Sequence, residues 1–374
     1  MLNISRRTAL LGMGIAGLTV AAQDILNQGS IANVPDSTGE GLRARADRKG
    51  LLIGAMVRAS TLRDDPRIGV ALRDDANIVV PEYELKWDAL EPEKDKFDFS
   101  AAEPIYAFAA QNKIRMRGHT LTWYRSIPQW ARAAIPAMSP AAAGDMLEKY
   151  VKTVVGHWKG RIVQWDVANE AIDGRRLLSE PLWSNKLGEQ YLDIAFKAAH
   201  AADPKAMLVF NTDLIEMDDP YQEQHRNATL ELLERLLKRG VPVHALGIES
   251  HLQAAMRFSP TVYRGFLDKV TAMGLKIVLT EFDIGDKGIL GTVAARDASV
   301  AALGKAFLDV SFTYPQCLGM LTWSPVDKYS WLRTEPDQQR FDGAPLRPGL
   351  LDDDFQRKLL WGAVAAAIDG APAR

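Results

Sequence analysis

Residues 162–173, IVQWDVANEAID, begin with a short apolar run. This run is followed by an amide, Asn169, and a carboxylate, Glu170. β-Branched and aromatic residues dominate positions 162–167, which is typical of a buried strand. Strands of a helix-covered parallel sheet read as nearly continuous apolar runs, because both of their faces are buried. The stretch therefore predicts such a strand, with polar side chains at its carboxyl end.

Seven further apolar runs of this kind lie between residues 51 and 323. They are LLIGAM (51–56), NIVVPE (77–82), IRMRGHT (114–120), MLVFN (207–211), ALGIESH (245–251), IVLTEFDI (277–284) and CLGMLTW (317–323). Amphipathic segments separate them, such as residues 143–158 and 227–240. Gly240, the last residue of the second segment, is expected just after the end of its helix. Eight strand–helix units predict a single-domain (β/α)8 TIM barrel over residues 48–370. A doubly wound open sheet is the alternative, but no glycine-rich phosphate loop follows the first run.

Composition limits the partners and cofactors of the chain. Its 374 residues include 47% hydrophobic residues, enough for a large core. A net charge of −2 and scattered lysines and arginines argue against a nucleic-acid partner. Cys317 is the single cysteine, so an intrachain disulfide and CxxC metal sites are excluded. We expect no cofactor, and a monomer is the predicted oligomeric state.

The N-terminal segment resembles an export signal. Arg6 and Arg7 precede an apolar run over residues 9–22 that is too short for a typical membrane span. The pair resembles a twin-arginine motif, so residues 1–22 are predicted to direct export to the periplasm or outside the cell. An uncleaved membrane anchor is the alternative. Residues 23–47 are expected to be a flexible lead-in.

Polar residues gather at the carboxyl ends of the predicted strands, where the active sites of such barrels lie. In strand order they are Glu82, Glu84, Lys86 and Trp87; His119 and Trp123; Asn169 and Glu170; Asn211 and Asp213; Glu249 and His251; Glu281 and Asp283; and Trp323 with Trp331. Because the polar cluster is one-sided, we expect an enzyme. Trp87 is expected to be a core residue, and Asp166, inside its strand, a structural group behind the site.

Two carboxylates flanked by tryptophans suit glycoside hydrolysis. Sugars stack their C–H faces on aromatic rings, while one carboxyl group protonates the leaving oxygen and the other stays ionised. Glu170 and Glu281 follow the fourth and seventh strands, on roughly opposite sides of the ring. A metal site would draw on His119, His251 and Asp213, but these lack the close spacing that zinc sites favour. We predict no metal.

The motifs resemble those of the glycoside hydrolase family 10 xylanases. WDVANEA is similar to their acid/base segment and LTEFDI to their nucleophile segment; YELKWDALEP, RGHTLTWY, GIESHL and LTWSPVDKYSWL follow the family order. The resemblance covers residues 48–368. It implies a (β/α)8 barrel that hydrolyses internal β-1,4 bonds of xylan with retention of configuration. A barrel glycosidase acting on other β-1,4-glycans or on short xylo-oligosaccharides is the alternative, and a non-catalytic carbohydrate-binding barrel is a third class.

The resemblance also implies residue roles. Glu170 would be the general acid/base and Glu281 the nucleophile, with His251 and Asp283 orienting Glu281. The substrate-binding residues it implies are Glu82, Lys86, His119, Trp123, Asn169, Glu249, Trp323 and Trp331.

Four positions depart from the family pattern. Tyr83 replaces an asparagine, Glu249 a glutamine and Tyr124 a histidine, and residues 211–214 read Asn-Thr-Asp-Leu in place of Asn-Asp-Tyr-Asn. We expect Glu249 either to stay protonated in place of the amide or to pair with an arginine or lysine, because neighbouring carboxylates resist joint ionisation. Tyr83 predicts that the glycone side of the cleft is recognised by an aromatic face.

Overall fold

The computed structural model describes residues 39–173, 176–177 and 181–374. The predicted export signal, residues 1–22, lies outside the described residues, as does most of the lead-in. Where the lead-in enters the described part, it is not flexible but forms helix α1, Leu42–Lys49. Leu42 and Ala46 are fully buried in the core, and the Leu42 N–H donates to Asp75 Oδ1 at 2.9 Å. The boundary predicted at residue 48 is therefore wrong by at least six residues.

Eight parallel strands form the barrel within the described part of the chain. In chain order, with the short strands outside the barrel included in the numbering, the strands are β1 (Leu52–Val57), β2 (Ile78–Pro81), β3 (Arg115–Gly118), β4 (Ile162–Asn169), β5 (Ile172–Asp173), β6 (Arg176–Leu177), β7 (Met207–Thr212), β8 (Ala245–Ile248), β9 (His251–Gln253), β10 (Lys276–Gly285) and β11 (Cys317–Thr322). Those outside the barrel are β5, β6 and β9. Each predicted apolar run overlaps one barrel strand.

The remaining described helices follow the strands. They are α2 (Ala59–Asp64), α3 (Pro66–Asp75), α4 (Trp87–Leu90), α5 (Glu103–Gln111), α6 (Gln129–Ala134), α7 (Pro140–His157), α8 (Pro181–Leu187), α9 (Gln190–Ala202), α10 (Pro220–Lys238), α11 (Pro260–Ala272), α12 (Val293–Phe312) and α13 (Leu359–Gly370). The two predicted amphipathic segments lie in α7 and α10. Gly240, with φ of 69°, follows the end of α10 in the left-handed conformation expected there.

The sheet closes on itself. Neighbouring strands pair in the order β1, β2, β3, β4, β7, β8, β10, β11, and β11 returns to β1 with Leu52 opposite Gly319. All of these pairings are parallel. The structure therefore confirms the predicted (β/α)8 barrel and not the open sheet.

Side chains alternate between two cores along each strand. In β2, Ile78 and Val80 join a small cluster inside the barrel with Val209 and Val278, whereas Val79 packs outward against the helices. This alternation follows from the two-residue repeat of a strand. The interior is filled, so the functional cleft has to lie at a rim of the barrel. No helix among the described residues is long and apolar enough to cross a membrane.

Candidate active site

Glu170 follows directly after β4, at the carboxyl rim of the barrel. Its backbone adopts a left-handed conformation, with φ of 48°, and its N–H donates to the carbonyl oxygen of Asn211 at 3.1 Å. A non-glycine residue with positive φ is uncommon and clusters at functional positions. The side chain is buried, with 5% of the residue exposed. β4 thus ends on a fixed carboxyl group at the rim where the active site is expected.

Glu281 lies within β10 and is enclosed by nitrogen atoms. Its Oε1 accepts a hydrogen bond from Asn211 Nδ2 at 2.9 Å and lies 3.7 Å from His119 Nδ1. Its Oε2 lies 3.4 Å from His251 Nε2. Burial alone would raise the pKa of Glu281, but the charge of His119, the hydrogen bond and charge of His251, and the charge of Lys86 outweigh it and lower the pKa to about 2. Glu281 is therefore held as a carboxylate.

His251 connects Glu281 to Asp283. His251 Nδ1 lies 2.8 Å from Asp283 Oδ1, and the second oxygen of Asp283 accepts hydrogen bonds from Trp331 Nε1 at 2.8 Å and from Ser324 Oγ at 3.1 Å. Burial would lower the pKa of His251, yet the carboxylates of Asp283 and Glu281 on its two nitrogens raise it. The predicted arrangement, in which His251 and Asp283 orient Glu281, is consistent with this geometry.

A second histidine approaches Glu281 from β3. His119 Nδ1 lies 2.9 Å from Asp166 Oδ2, and Arg117 donates to the other oxygen of Asp166. Asp166 and Arg117 are fully buried. This agrees with the interpretation of Asp166 as a structural group behind the site.

Asn211, at the end of β7, joins the two halves of the site. Its Nδ2 donates to Asn169 Oδ1 at 2.7 Å as well as to Glu281, and its Oδ1 accepts from Thr280 Oγ1 at 2.7 Å. Asn211 was noted as a strand-end residue but was not assigned a role from the sequence. Its position at a strand end was the only sequence signal for a role in the site. Its partners could not be predicted, because Asn169 and Glu281 are far from Asn211 in the chain.

The surroundings of Glu170 contain further carboxyl groups. Oxygens of Glu170, Asp213 and Glu249 all lie within 4.8 Å of one another, and Glu249 also lies within 4.8 Å of Glu281 and His251. Glu249 Oε1 lies 3.4 Å from Asn211 Nδ2, and its Oε2 lies 3.7 Å from His251 Nε2. Glu249 therefore stands between the two catalytic candidates.

Oxygen and nitrogen ligands for a metal ion also converge here, though not in the combination considered from the sequence. Among the described residues, the sets of three that come close enough are Glu249 with His251 and Glu281, and Glu170 with Asp213 and Glu249. Both sets use the two catalytic candidates or their direct neighbours. A cation bound there would compete with the acid/base chemistry, so the expectation of a metal-free enzyme stays a prediction.

The predicted substrate-binding residues line the same rim. Lys86 Nζ lies 4.4 Å from the centroid of the Trp123 ring, and His119 contacts Trp323 edge-on at 5.0 Å between centroids. Burial lowers the pKa of Lys86 more than the carboxylates of Glu281, Glu82 and Glu170 raise it. Trp331 lies 5.0 Å from His251 between ring centroids.

Glu82, by contrast, is already engaged by a cation. Both of its oxygens accept hydrogen bonds from Arg58, each at 2.6 Å. A bidentate arginine fixes the carboxylate plane and leaves fewer lone pairs for a sugar hydroxyl. Arg58 directly follows β1 and was not among the predicted strand-end residues, which begin at the second strand.

Two aromatic residues differ sharply in exposure. Trp87 is buried, stacks on Tyr150 at 4.5 Å between centroids and donates from Nε1 to Glu91, as expected of a core residue. Tyr83 is 47% exposed. The departure at position 83 therefore places an accessible phenol ring beside Glu82 at the rim.

A closed (β/α)8 barrel with two buried carboxyl groups, one of them flanked by histidines, and tryptophans at the carboxyl rim defines the class of barrel glycoside hydrolases. The family model for Glycosyl hydrolase family 10 matches residues 41–367. The chain belongs to this family, as the sequence motifs predicted, and is a glycoside hydrolase.

Two endo-1,4-beta-xylanases are similar to the chain over most of its length. The chain is 30% identical over 325 residues to Endo-1,4-beta-xylanase 5 of Pyricularia oryzae, covering 85% of this chain and 78% of that protein. It is 29% identical over 298 residues to Endo-1,4-beta-xylanase B of Thermotoga neapolitana, covering 78% and 82%.

Solved structures show the same fold. Native xylanase 10B from Thermotoga maritima superposes with a TM-score of 0.78 at 29% identity, covering 88% of this chain and 98% of that one. Xylanase 10B from Thermotoga petrophila RKU-1, solved in complex with xylobiose, gives a TM-score of 0.80 at 27% identity, covering 90% and 99%.

Proposed function

We propose that the protein is a retaining endo-1,4-β-xylanase. One observation carries the proposal: two buried carboxyl groups, Glu170 and Glu281, lie at the carboxyl rim in different surroundings. Glu281 is surrounded by His119, His251 and Asn211, which favour its ionised form. Glu170 lies beside Asp213 and Glu249, whose charges favour a bound proton on one member of the group. One ionised and one protonated carboxyl group is the state that glycoside hydrolysis requires.

In the first step, a Glu281 oxygen attacks the anomeric carbon as the bond to the leaving oxygen breaks. Glu170 gives its proton to that oxygen, so the leaving sugar departs as an alcohol and the other sugar stays covalently bound to Glu281. The hydrogen bond from Asn211 positions the attacking carboxylate, and we expect Asn169, held by the same amide, to bind a sugar hydroxyl.

In the second step, Glu170 has become a carboxylate and takes a proton from water. The resulting hydroxide attacks the anomeric carbon from the face that the leaving group vacated, and the bond to Glu281 breaks. Two inversions retain the β configuration. The imidazolium of His251, paired with Asp283, favours the return of Glu281 to its ionised form.

Proton NMR during xylan cleavage tests this proposal. We expect new reducing ends to appear first as the β anomer and to mutarotate later. Initial release of the α anomer would contradict the retaining mechanism. Failure to release reducing ends from xylan, with activity on another β-1,4-glycan, would contradict the substrate assignment.

The exposed Tyr83 favours a second candidate, a glycosidase of this family that prefers other β-1,4-glycans or short xylo-oligosaccharides. An exposed ring can stack on a sugar, whereas the asparagine usual in the family offers a hydrogen-bonding amide. Rates of the wild type and Tyr83→Asn on xylan, cellulose and aryl xylosides compare the two candidates. Unchanged rates and product patterns on all three substrates would remove Tyr83 from the argument.

We also propose that the enzyme is exported and acts as a monomer on a polysaccharide outside the cytoplasm. The paired arginines and apolar run of residues 1–22 support export. Fractionation of cells expressing the full chain and its Arg6→Lys, Arg7→Lys variant tests the route. Equal amounts of both proteins outside the cytoplasm would contradict a twin-arginine signal.

A further inference from the structure

Glu216 is a buried carboxyl group to which the proposed mechanism gives no role. Only 3% of the residue is exposed. Its Oε1 accepts the N–H of Ser250 at 2.8 Å, and its Oε2 accepts the N–H of Ile215 at 2.9 Å. A buried carboxyl group is costly unless its hydrogen bonds are satisfied, and here they are satisfied by backbone groups of two different loops.

One of those backbone groups, the N–H of Ser250, lies between two residues of the site. Ser250 separates Glu249 from His251, and it adopts a left-handed conformation with φ of 63°. The Ser250 carbonyl oxygen accepts the N–H of Asp283 at 3.3 Å, and the Ser250 hydroxyl donates to Ile248 O at 3.0 Å. The backbone of Ser250 therefore connects Glu216 both to the chain segment that carries His251 and to the backbone of Asp283.

The other side of Glu216 is anchored to an outer helix. Arg226, in α10, donates from Nη1 to the carbonyl oxygens of Ile215 at 3.1 Å and Met217 at 2.7 Å. Gln222, one turn earlier, accepts the Met217 N–H at 2.7 Å. The residues on both sides of Glu216 are thus hydrogen-bonded to α10. The Glu216 side chain therefore connects this anchored segment to the Ser250 N–H.

We propose that Glu216 is a positioning residue for the nucleophile: it transmits the position of α10 through the Ser250 N–H to His251, and His251 in turn holds Glu281 ready for attack. This inference rests on the proposed function, since it assigns Glu216 to the Glu281 side of that reaction. Small displacements of a reacting group cost rate because catalysis needs near-attack geometry.

Glu216→Gln is the direct test, since the amide keeps one acceptor oxygen but presents a donor where the second N–H needs an acceptor. We expect kcat for xylo-oligosaccharides to fall about 10- to 100-fold with KM nearly unchanged, because a displaced nucleophile acts on the reaction and not on sugar binding. Aryl xylobiosides with good leaving groups should show the same loss, since they do not depend on the proton from Glu170.

Asp203→Asn is a matched control. Asp203 is equally buried and accepts two backbone N–H groups, from Gly160 at 2.9 Å and Lys205 at 3.1 Å, but it lies before β7 at the opposite rim of the barrel. We expect its Tm to fall as in Glu216→Gln while kcat stays unchanged. Glu216→Asp, which shortens the side chain by one methylene, should also lower kcat. It replaces Glu216→Gln as the test if that variant does not fold.

A double-mutant cycle with His251→Asn separates positioning from general destabilisation. If Glu216 acts through His251, adding Glu216→Gln to His251→Asn should lower kcat less than twofold further, since interacting residues are not additive. Full additivity, or a Glu216→Gln kcat equal to that of the wild type, would overturn the proposal. A wild type without xylanase activity would instead overturn the proposed function, so the two failures are distinct.

Discussion

The two halves of the site use the same residue type in different surroundings. In the cationic half, Glu281 faces His119, His251 and Lys86. In the carboxylate half, Glu170 lies beside Asp213 and Glu249. Positive charge from Lys86 and Arg125 also reaches Glu170, and Glu249 lies within 4.8 Å of both Glu170 and Glu281.

In the proposed mechanism, the surroundings of each glutamate determine its role. A glutamate among cations and amide donors remains ionised and can attack carbon, whereas a glutamate among carboxyl groups shares a proton and can give it away. The contrast also explains the position of Glu249. It stands where the two halves meet and adds a carboxyl group to the half that has to hold a proton.

The largest expected effect comes from removing the nucleophile. Glu281→Ala should lower kcat on the order of 10⁵- to 10⁶-fold, as loss of a covalent nucleophile does elsewhere. Initial rates on xylo-oligosaccharides measure it, with Glu93→Ala, an exposed glutamate paired with Lys96, as the unaffected control. Loss of less than about a hundredfold would show that the cationic half does not hold the nucleophile.

Removing the acid/base group should cost less, and in a substrate-dependent way. Glu170→Ala should lower the rate of xylan cleavage about 10²- to 10⁴-fold, the usual contribution of general acid catalysis. The first step with aryl xylobiosides that carry good leaving groups should be nearly unaffected, because such groups leave without a proton. Pre-steady-state kinetics measures that step. An equal loss on both substrate types would contradict an acid role.

The third prediction concerns a substitution that weakens the cationic half without removing the carboxylate of Glu281. His251→Asn removes one positive charge beside Glu281, so the pKa of Glu281 rises from its low value and more of it is protonated at acidic pH. The acidic limb of the kcat/KM profile should therefore move to higher pH, by about one to two units. A pH–rate profile measures the limb; a limb that stays in place would mean that His251 does not set the charge of Glu281.

The smallest expected effect comes from the carboxylate half. Glu249→Gln keeps the side-chain shape but removes one like-charged neighbour, so Glu170 loses its proton at lower pH. The basic limb of the kcat/KM profile should move to lower pH, by less than the shift in His251→Asn. If Glu249 already stays protonated in place of an amide, both limbs should remain where they are. A basic limb at higher pH would contradict both accounts.

Much of the barrel could be predicted from sequence because its strands are buried on both faces. Each reads as an apolar run, and Ile78, Val79 and Val80 show why: neighbouring residues fill the inner and outer cores in turn. Helix α1 was missed because its sequence, LRARADRK, is mostly charged. Only Leu42 and Ala46 face the core, too few for a visible periodicity. Strands β5, β6 and β9, of two or three residues, are too short to leave a pattern.

The catalytic candidates and the orienting residues His251 and Asp283 could be predicted, but other residues around the site could not. Glu170 and Glu281 lie in family motifs at strand ends. Asn211, Arg58 and Glu216 contact residues 24 to 70 positions away, as in Asn211 to Glu281, Arg58 to Glu82 and Glu216 to Ser250. Sequence spacing carries no signal for such pairs. They become visible only when the fold brings the strand ends and loops together.

The configuration of azide products tests the central claim, that Glu281 is the nucleophile and Glu170 the acid/base, most directly. Each alanine variant is incubated with an aryl xylobioside and sodium azide, and NMR determines the anomer of the glycosyl azide. In Glu170→Ala, azide should replace water in the second step and give the β-azide; in Glu281→Ala, it should attack in a single displacement and give the α-azide. The reverse pair of products would exchange the two roles and contradict the account.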